Sequence, residues 1–411
     1  MKTLLQFLFI ASALQATAQS ADEYTRYELL DPSSNSFRIL YEVSASTPGA
    51  TYYHNTLRKG SEHKVDRVID LASEKPLTWT IVNGQAAKKN GLAGADKETD
   101  YLQIVLAHPV AKNAEYRLLI DKTYADAKSY YAEGDKIIFQ RPLGIKRNSI
   151  VLPKGYELIA CNYPSQVMME ADGRIKISFV NRGPEVVPLR VVSRKLLKPV
   201  VVPAAVKPES IPPGQGRDKS KVRMGFSFPE RAYQTREIVY FLQQPETNSF
   251  RLYHDYTESR EGVNKYVNVV RAGSKASNPS AFSLDTGNPL KVETLVGQAI
   301  KDKGIDIGDD YSPTAEAIVI WFDPVTKGTT TRIRIEETYT DPNRYVNVND
   351  ELIWDRSFGR VHNTITLPEG WWLTANAIPA TVFLNEDGLV SLYYLNDGPD
   401  EIDVFVKAMR K

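Results

Sequence analysis

The stretch TYADAKSYYAEGDKIIFQRPLGIKRNSIVLPKGY, beginning at Thr123, recurs from Thr338 as TYTDPNRYVNVNDELIWDRSFGRVHNTITLPEGW. The match extends well beyond this segment. NSFRI at Asn35 returns as NSFRL at Asn248, a shift of 248 − 35 = 213, and Gly84-Gln85-Ala86 meets Gly297-Gln298-Ala299 at the same shift. Past one two-residue indel the shift is 215, so Leu152-Pro153 meets Leu367-Pro368 and Gly183-Pro184 meets Gly398-Pro399. Between Ala114 and Gly155, 15 of 42 positions equal their partners at +215, which chance does not produce. A period of this length is far too long for a solenoid repeat or a propeller blade, and it predicts two copies of a complete domain.

The boundaries follow from composition. LLKPVVVPAAVKPESIPPGQGRDKSK separates the copies, and its prolines fix φ and remove donors, so residues 196–232 read as an extended linker. The first copy then spans about 21–195 and the second 233–411. Residues 1–18 read as a secretory signal: Lys2, then an apolar run from Leu4 to Leu14, then Ala16-Thr17-Ala18 as a small-x-small cleavage site. An exported chain, periplasmic or extracellular, is therefore expected. With Cys161 as its single cysteine it has no internal disulfide and must be stabilised by packing. Cys161, within YELIAC, reads as a small buried hydrophobe.

Each copy reads as strands. TRIRIEE sets Ile333 and Ile335 against Arg332, Arg334 and Glu336, and RIKISFV alternates Ile175, Ile177 and Phe179, with LVSLYYL as its counterpart. ADG at Ala171 and EDG at Glu386 supply hairpin turns ahead of these strands. Short strands between Gly, Pro and Asn turns predict an all-β fold, a tandem pair of antiparallel β-sandwich-like domains. ESREGVNKYVNVVRAG and the residues after Asp341 are the places where a short turn of helix is expected.

Charge and motifs narrow the function. Lys plus Arg (51) balances Asp plus Glu (50), so no basic surplus points to nucleic acid. No apolar run is long enough for a membrane span. HExxH, GxSxG, Walker and GxGxxG motifs do not occur, and the five histidines lack ligand spacing, so neither metal nor cofactor is expected. Asp306-Asp309-Asp310 lacks the spacing of a calcium loop and reads as a solvated turn.

The repeated polar residues leave two readings open. Thr338-Tyr339-x-Asp341, with Thr123-Tyr124-x-Asp126 in the first copy, can close a turn after a strand, or Tyr339, Asp341 and Arg356 can build a ligand site. Asn268 and Arg271, repeating Asn55 and Arg58, can likewise tie a loop to the sheet or hold a carboxylate or sugar hydroxyl. Tryptophan is asymmetric: Trp79 stands alone in the first copy, against Trp321, Trp354, Trp371 and Trp372 in the second. Adjacent tryptophans on a strand face opposite ways, so one of Trp371 and Trp372 lies outside its own sheet, as a ligand platform or packed on the linker or first domain. The leading expectation is a non-catalytic binding protein that recognises a glycan, peptide or cell-envelope partner through the second domain. A polysaccharide hydrolase or lyase using the Tyr-Asp loop acids is the alternative, and an envelope assembly component is a third.

Overall fold

A computed structural model describes residues 23–198, 200, 236–308, 311–398 and 401–411. The expected signal, nearly all of the expected linker, and Asp309 and Asp310 lie outside these residues. The chain is 57% strand and 5% helix, and therefore all-β. Alternation does what it predicts: the strand Thr331–Thr340 buries Ile333, Ile335 and Tyr339, and Ile175–Val180 buries Ile175, Ile177 and Phe179. Strands recur at the spacing of the sequence repeat. Glu62–Asp70 and Lys275–Ser283 lie 213 residues apart, and Arg147–Val151 and His362–Thr366 lie 215 apart.

Helix forms only in short pieces, and not in the two stretches where it was expected. Around Gly262 (φ +83°) the chain turns into the strand Lys265–Val269, whose β-branched and aromatic residues fit a sheet. After Asp341 a turn leads directly to the strand Tyr345–Val348. Among the described residues the α-helices are Gly84–Lys89, capped by Asn83, and Gln298–Asp302. Their repeated glycines are needed for close approach. A Cβ on Gly84 would stand 1.9 Å from the Asp96 carbonyl oxygen, and one on Gly297 would stand 2.3 Å from that of Pro313.

The residues group into two compact units. One holds the described residues up to Thr25 with Leu40–Gly60 and Lys64–Lys122. It contains a three-stranded sheet, Tyr52–Thr56, Asp100–Val105 and Trp79–Asn83, and a core of Val43, Leu102, Ile104, Leu118 and Ile120. The other holds Arg26–Ile39, Ser61–His63 and Thr123–Lys411, the whole second copy included.

Two ribbons of strands run through this larger unit, both passing through the 14-residue strands Tyr156–Met169 and Trp371–Leu384. In one ribbon, Lys136–Leu143 pairs with Val187–Lys195, which pairs with residues 156–161 of the first long strand. Cys161 there faces Val382 of the second long strand, whose end pairs with Val390–Leu395. The ribbon continues through His362–Thr366, Arg236–Leu242, Ser249–Glu258, Thr331–Thr340 and Lys275–Ser283. In the other ribbon, Arg147–Val151, Ile175–Val180 and residues 166–169 of the first long strand join residues 375–376 of the second. Ile402–Arg410, Glu351–Phe358 and Tyr345–Val348 complete it. Pairing is antiparallel apart from exceptions such as Arg236–Leu242 against His362–Thr366, which is parallel.

Aromatic side chains fill the space between the ribbons. Trp354 lies 4.8 Å from Phe250 and 5.4 Å from Tyr240 between ring centres, and Phe358 stacks on Tyr240 at 5.1 Å. In the first copy Phe139 meets Tyr27 and Phe37, each at 5.4 Å. Tyr27, Phe37 and Phe139 correspond by the repeat shifts to Tyr240, Phe250 and Trp354. The result is a sandwich-like core with two aromatic centres.

Candidate functional site

Several polar residues singled out by the repeat, Asp126, Asn268, Asp341 and Arg356, are buried, whereas Asn55 and Arg271 are half-buried and Arg58 is exposed. Asp341 and Arg356 are both buried, with Arg356 Nη1 donating to Asp341 Oδ2 at 2.6 Å and the guanidinium stacked 4.9 Å over the Phe250 ring. Burial pulls the Arg356 guanidinium below the usual arginine range. In the first copy Asp126 closes its turn, accepting from Ser129 Oγ at 2.7 Å and from the Lys128 backbone at 3.1 Å. The repeated asparagines ahead of the NSFR strands do related work. Asn35 and Asn248 both stand at positive φ, and their amides donate to the carbonyls of Tyr130 and Tyr345, at 3.0 and 2.9 Å.

Asn268 sits in the same buried set. Its amide donates 2.7 Å to Glu337 and 3.1 Å to the Tyr339 hydroxyl, and His254 lies 3.2 Å from the same Glu337 oxygen. Burial raises the Tyr339 hydroxyl well above the ordinary tyrosine range. The first copy reverses the charge at this point. Lys122 replaces Glu337 and donates to the carbonyl oxygen of Asn55, the counterpart of Asn268. An amide side chain has a donor end and an acceptor end, so one residue type serves both. Arg271 reaches Ser357, with Nη1 3.4 Å from its hydroxyl.

The tryptophan expectation needs correcting. Trp354, Trp371 and Trp372 are at most 2% exposed, so none offers an open ring for stacking. Trp372 borders Leu196, Lys198, Val200 and Met409, where the segment leaving the first copy covers it. Trp371 donates to Gln244 at 2.9 Å and lies under Arg410 at 4.6 Å. Among the described residues, no three His, Cys, Asp or Glu side chains gather as metal ligands, and no helix is long and apolar enough to cross a membrane.

Half-buried rings occur elsewhere, on the outer face of the second copy's half of the first ribbon. Inward positions of Arg236–Leu242 are Ile238, Tyr240 and Leu242, which leaves Val239 and Phe241 outside. Register sets Val239 beside Tyr253 and Thr364, Phe241 beside Arg251 and Thr366, and Thr364 beside Tyr393. Phe383 faces Ser391, and Leu395 faces His362. The small residues Val239, Thr364, Thr366 and Ser391 are buried beneath this layer, whereas Phe383 is 36% and Leu395 54% exposed. The rings are held in place. Arg251 lies 4.7 Å over Phe241, and Arg334 lies 4.0 Å over Tyr253 while gripping Asp255 through two hydrogen bonds of 2.6 and 2.7 Å. His362 stacks on Tyr393 and shares a 2.6 Å hydrogen bond with its hydroxyl.

Some equivalent positions of the first copy carry ions instead, whereas Phe383 and Leu395 correspond to Met168 and Val180, which are likewise apolar and exposed, at 53% and 47%. Arg26 and Glu28 stand where the second copy has Val239 and Phe241, and Lys176 stands where it has Ser391. Arg26 binds Glu170 through two 2.7 Å hydrogen bonds and Glu28 through one of 2.8 Å. Arg174 and Lys176 add further ion pairs to Glu170, at 3.9 and 3.6 Å. Hydrogen bonding from Arg26 holds the Glu170 carboxyl below its usual range. These ion pairs, largely buried, stand where the second copy has Val239, Phe241 and Ser391. EIVYFL and LVSLYYL do not separate apolar from polar residues by alternation. Apolar residues on both alternations were the signal of the ring-bearing face.

No family model and no curated protein matches the chain. Among solved structures, it is similar to an M1 zinc metallopeptidase from Deinococcus radiodurans bound to a Tyr-Ser-Ala substrate, at 10% identity over 43% of each chain with a TM-score of 0.29. It is also similar to the C-terminal domain of the antigen I/II-family protein AspA of Streptococcus pyogenes, at 6% identity over 95% of this chain and 99% of that one, with a TM-score of 0.19. The chain thus spans less than half the length of the metallopeptidase, and similarity at this level carries no argument about the site.

Proposed function

We propose that the protein is an exported, non-catalytic binding protein that engages a cell-envelope partner through the outer face of its second copy. The observation behind this reading is the difference between the two faces at matched positions, ions in one and rings in the other. Phe383 and Leu395 are exposed on this face, as Met168 and Val180 are in the first copy, and what sets the second copy apart is the cluster of Phe241, Tyr253 and Tyr393 with Arg251 and Arg334 beside them. Tyr, Phe and Arg in contact are the residues that dominate protein interfaces. Sugar stacking needs open ring faces, and Arg251, Arg334 and His362 already occupy one face of Phe241, Tyr253 and Tyr393. A polypeptide of the envelope is therefore favoured over a glycan.

Phe383→Ser and Leu395→Ser test this together. Each is expected to weaken capture of the envelope partner by about thirty-fold, the effect of losing roughly 2 kcal/mol at an interface centre. Folding stability should change by no more than about 0.5 kcal/mol, as for other surface positions. Affinity that survives both changes, or a glycan panel bound through this face, overturns the reading.

A further inference from the structure

The contact between the two copies has a symmetry of its own. Cys161 faces Val382, and Val167 faces Asn376. Subtracting the repeat shift gives 382 − 215 = 167 and 376 − 215 = 161, so the same two positions exchange partners. Ser165 faces Ala380, and 380 − 215 = 165, so here one position meets itself. Such reciprocity is the signature of an isologous two-fold interface. At its centre stand Pro164 and Pro379, again equivalent positions, and the register shifts on both sides of them because proline cannot donate to a ladder. Local bonding repeats as well. The Asn376 amide donates to the Ile378 carbonyl at 2.6 Å, and the Cys161 thiol donates to that of Tyr163 at 3.3 Å.

This contact is core rather than surface. Cys161, Ser165, Val167, Asn376, Ala380 and Val382 are all buried, and Gln166 reaches across to donate to the Ala377 carbonyl at 2.7 Å. Neither long strand has a free edge here. Its first half extends one ribbon, its second half extends the other, and each ribbon is completed by strands of the opposite copy.

We infer that the two copies are the fused halves of a two-fold dimer joined edge to edge, and that the edge formed by Tyr156–Met169 and Trp371–Leu384 is a self-complementary surface whose partner is a second copy of the same unit. Carrying both halves in one chain then holds the second at high effective concentration. This inference is independent of the ring-bearing face and of export.

The test is to place a site-specific protease sequence within residues 201–232 of the full chain and cut the folded protein. The two fragments should co-elute as one species of undiminished size, with unchanged circular dichroism. Their thermal midpoint should now rise with protein concentration, because unfolding has become a dissociation. Fragments that separate without denaturant, or a midpoint unaffected by concentration, overturn the inference.

Discussion

Arg356→Met is expected to destabilise the protein by about 3–5 kcal/mol, and adding Asp341→Leu should return most of that loss. Both side chains are nearly inaccessible, at 7% and 2%, and joined by one 2.6 Å bond. Removing the guanidinium leaves a buried carboxylate with its desolvation cost and no countercharge. Removing both leaves an apolar pair in an apolar site, between Phe250 and Trp354. Urea denaturation of the two single variants and the double gives the coupling energy. A polysaccharide-cleaving site built on Asp341 would behave differently: the single variants would keep near-normal stability and lose turnover, and the double would recover nothing.

Trp354→Ala should cost a similar amount, about 3–5 kcal/mol, since the ring is fully buried among Tyr240, Phe250, Tyr345 and Phe358. The repeat supplies the control. Phe139 fills the equivalent place in the first copy, so Trp354→Phe should cost much less. It also removes an indole N–H that is buried without a partner, which offsets part of the lost volume. Calorimetric midpoints that rank Ala well below Phe, and Phe near the parent, match this packing. Equal losses would place the ring somewhere other than a close-packed centre.

Legibility followed burial. Strands with one wet face, such as Thr331–Thr340 and Ile175–Val180, declare themselves by alternation, and the hairpins at Gly173 and Gly388 by their turn residues. The polar pairs were visible as types, although spacing alone did not tell a turn closure from a ligand site. Asp126, with three donors from its own loop, shows what the repeated carboxylate is for. The edge-to-edge joining of the copies left no such trace. Tyr156–Met169 has neighbours on both edges, so its composition does not reveal which copy supplies them, and Pro164 looks like an ordinary breaker. Trp372 shows a related limit: alternation states which side of the sheet a ring takes, but not whether it meets solvent or, as here, lies buried near Leu196 and Lys198. The ring-bearing face was hidden by attention to identities between copies. Its signal lies in the mismatches, Arg26 against Val239, Glu28 against Phe241 and Met168 against Phe383.

The native cysteine offers the most direct measurement of how the copies join. Paired strand positions lie about 4.5–5.5 Å apart at Cα, within the span a disulfide accepts. Cys161 and Val382 are such a pair and point to the same buried side. Refolded under oxidising conditions, Val382→Cys should yield an intramolecular disulfide, read as a two-hydrogen mass loss and a faster band on a non-reducing gel. Two free thiols in the folded protein would show that the copies do not meet at this strand, and would contradict the edge-to-edge junction on which the architecture rests.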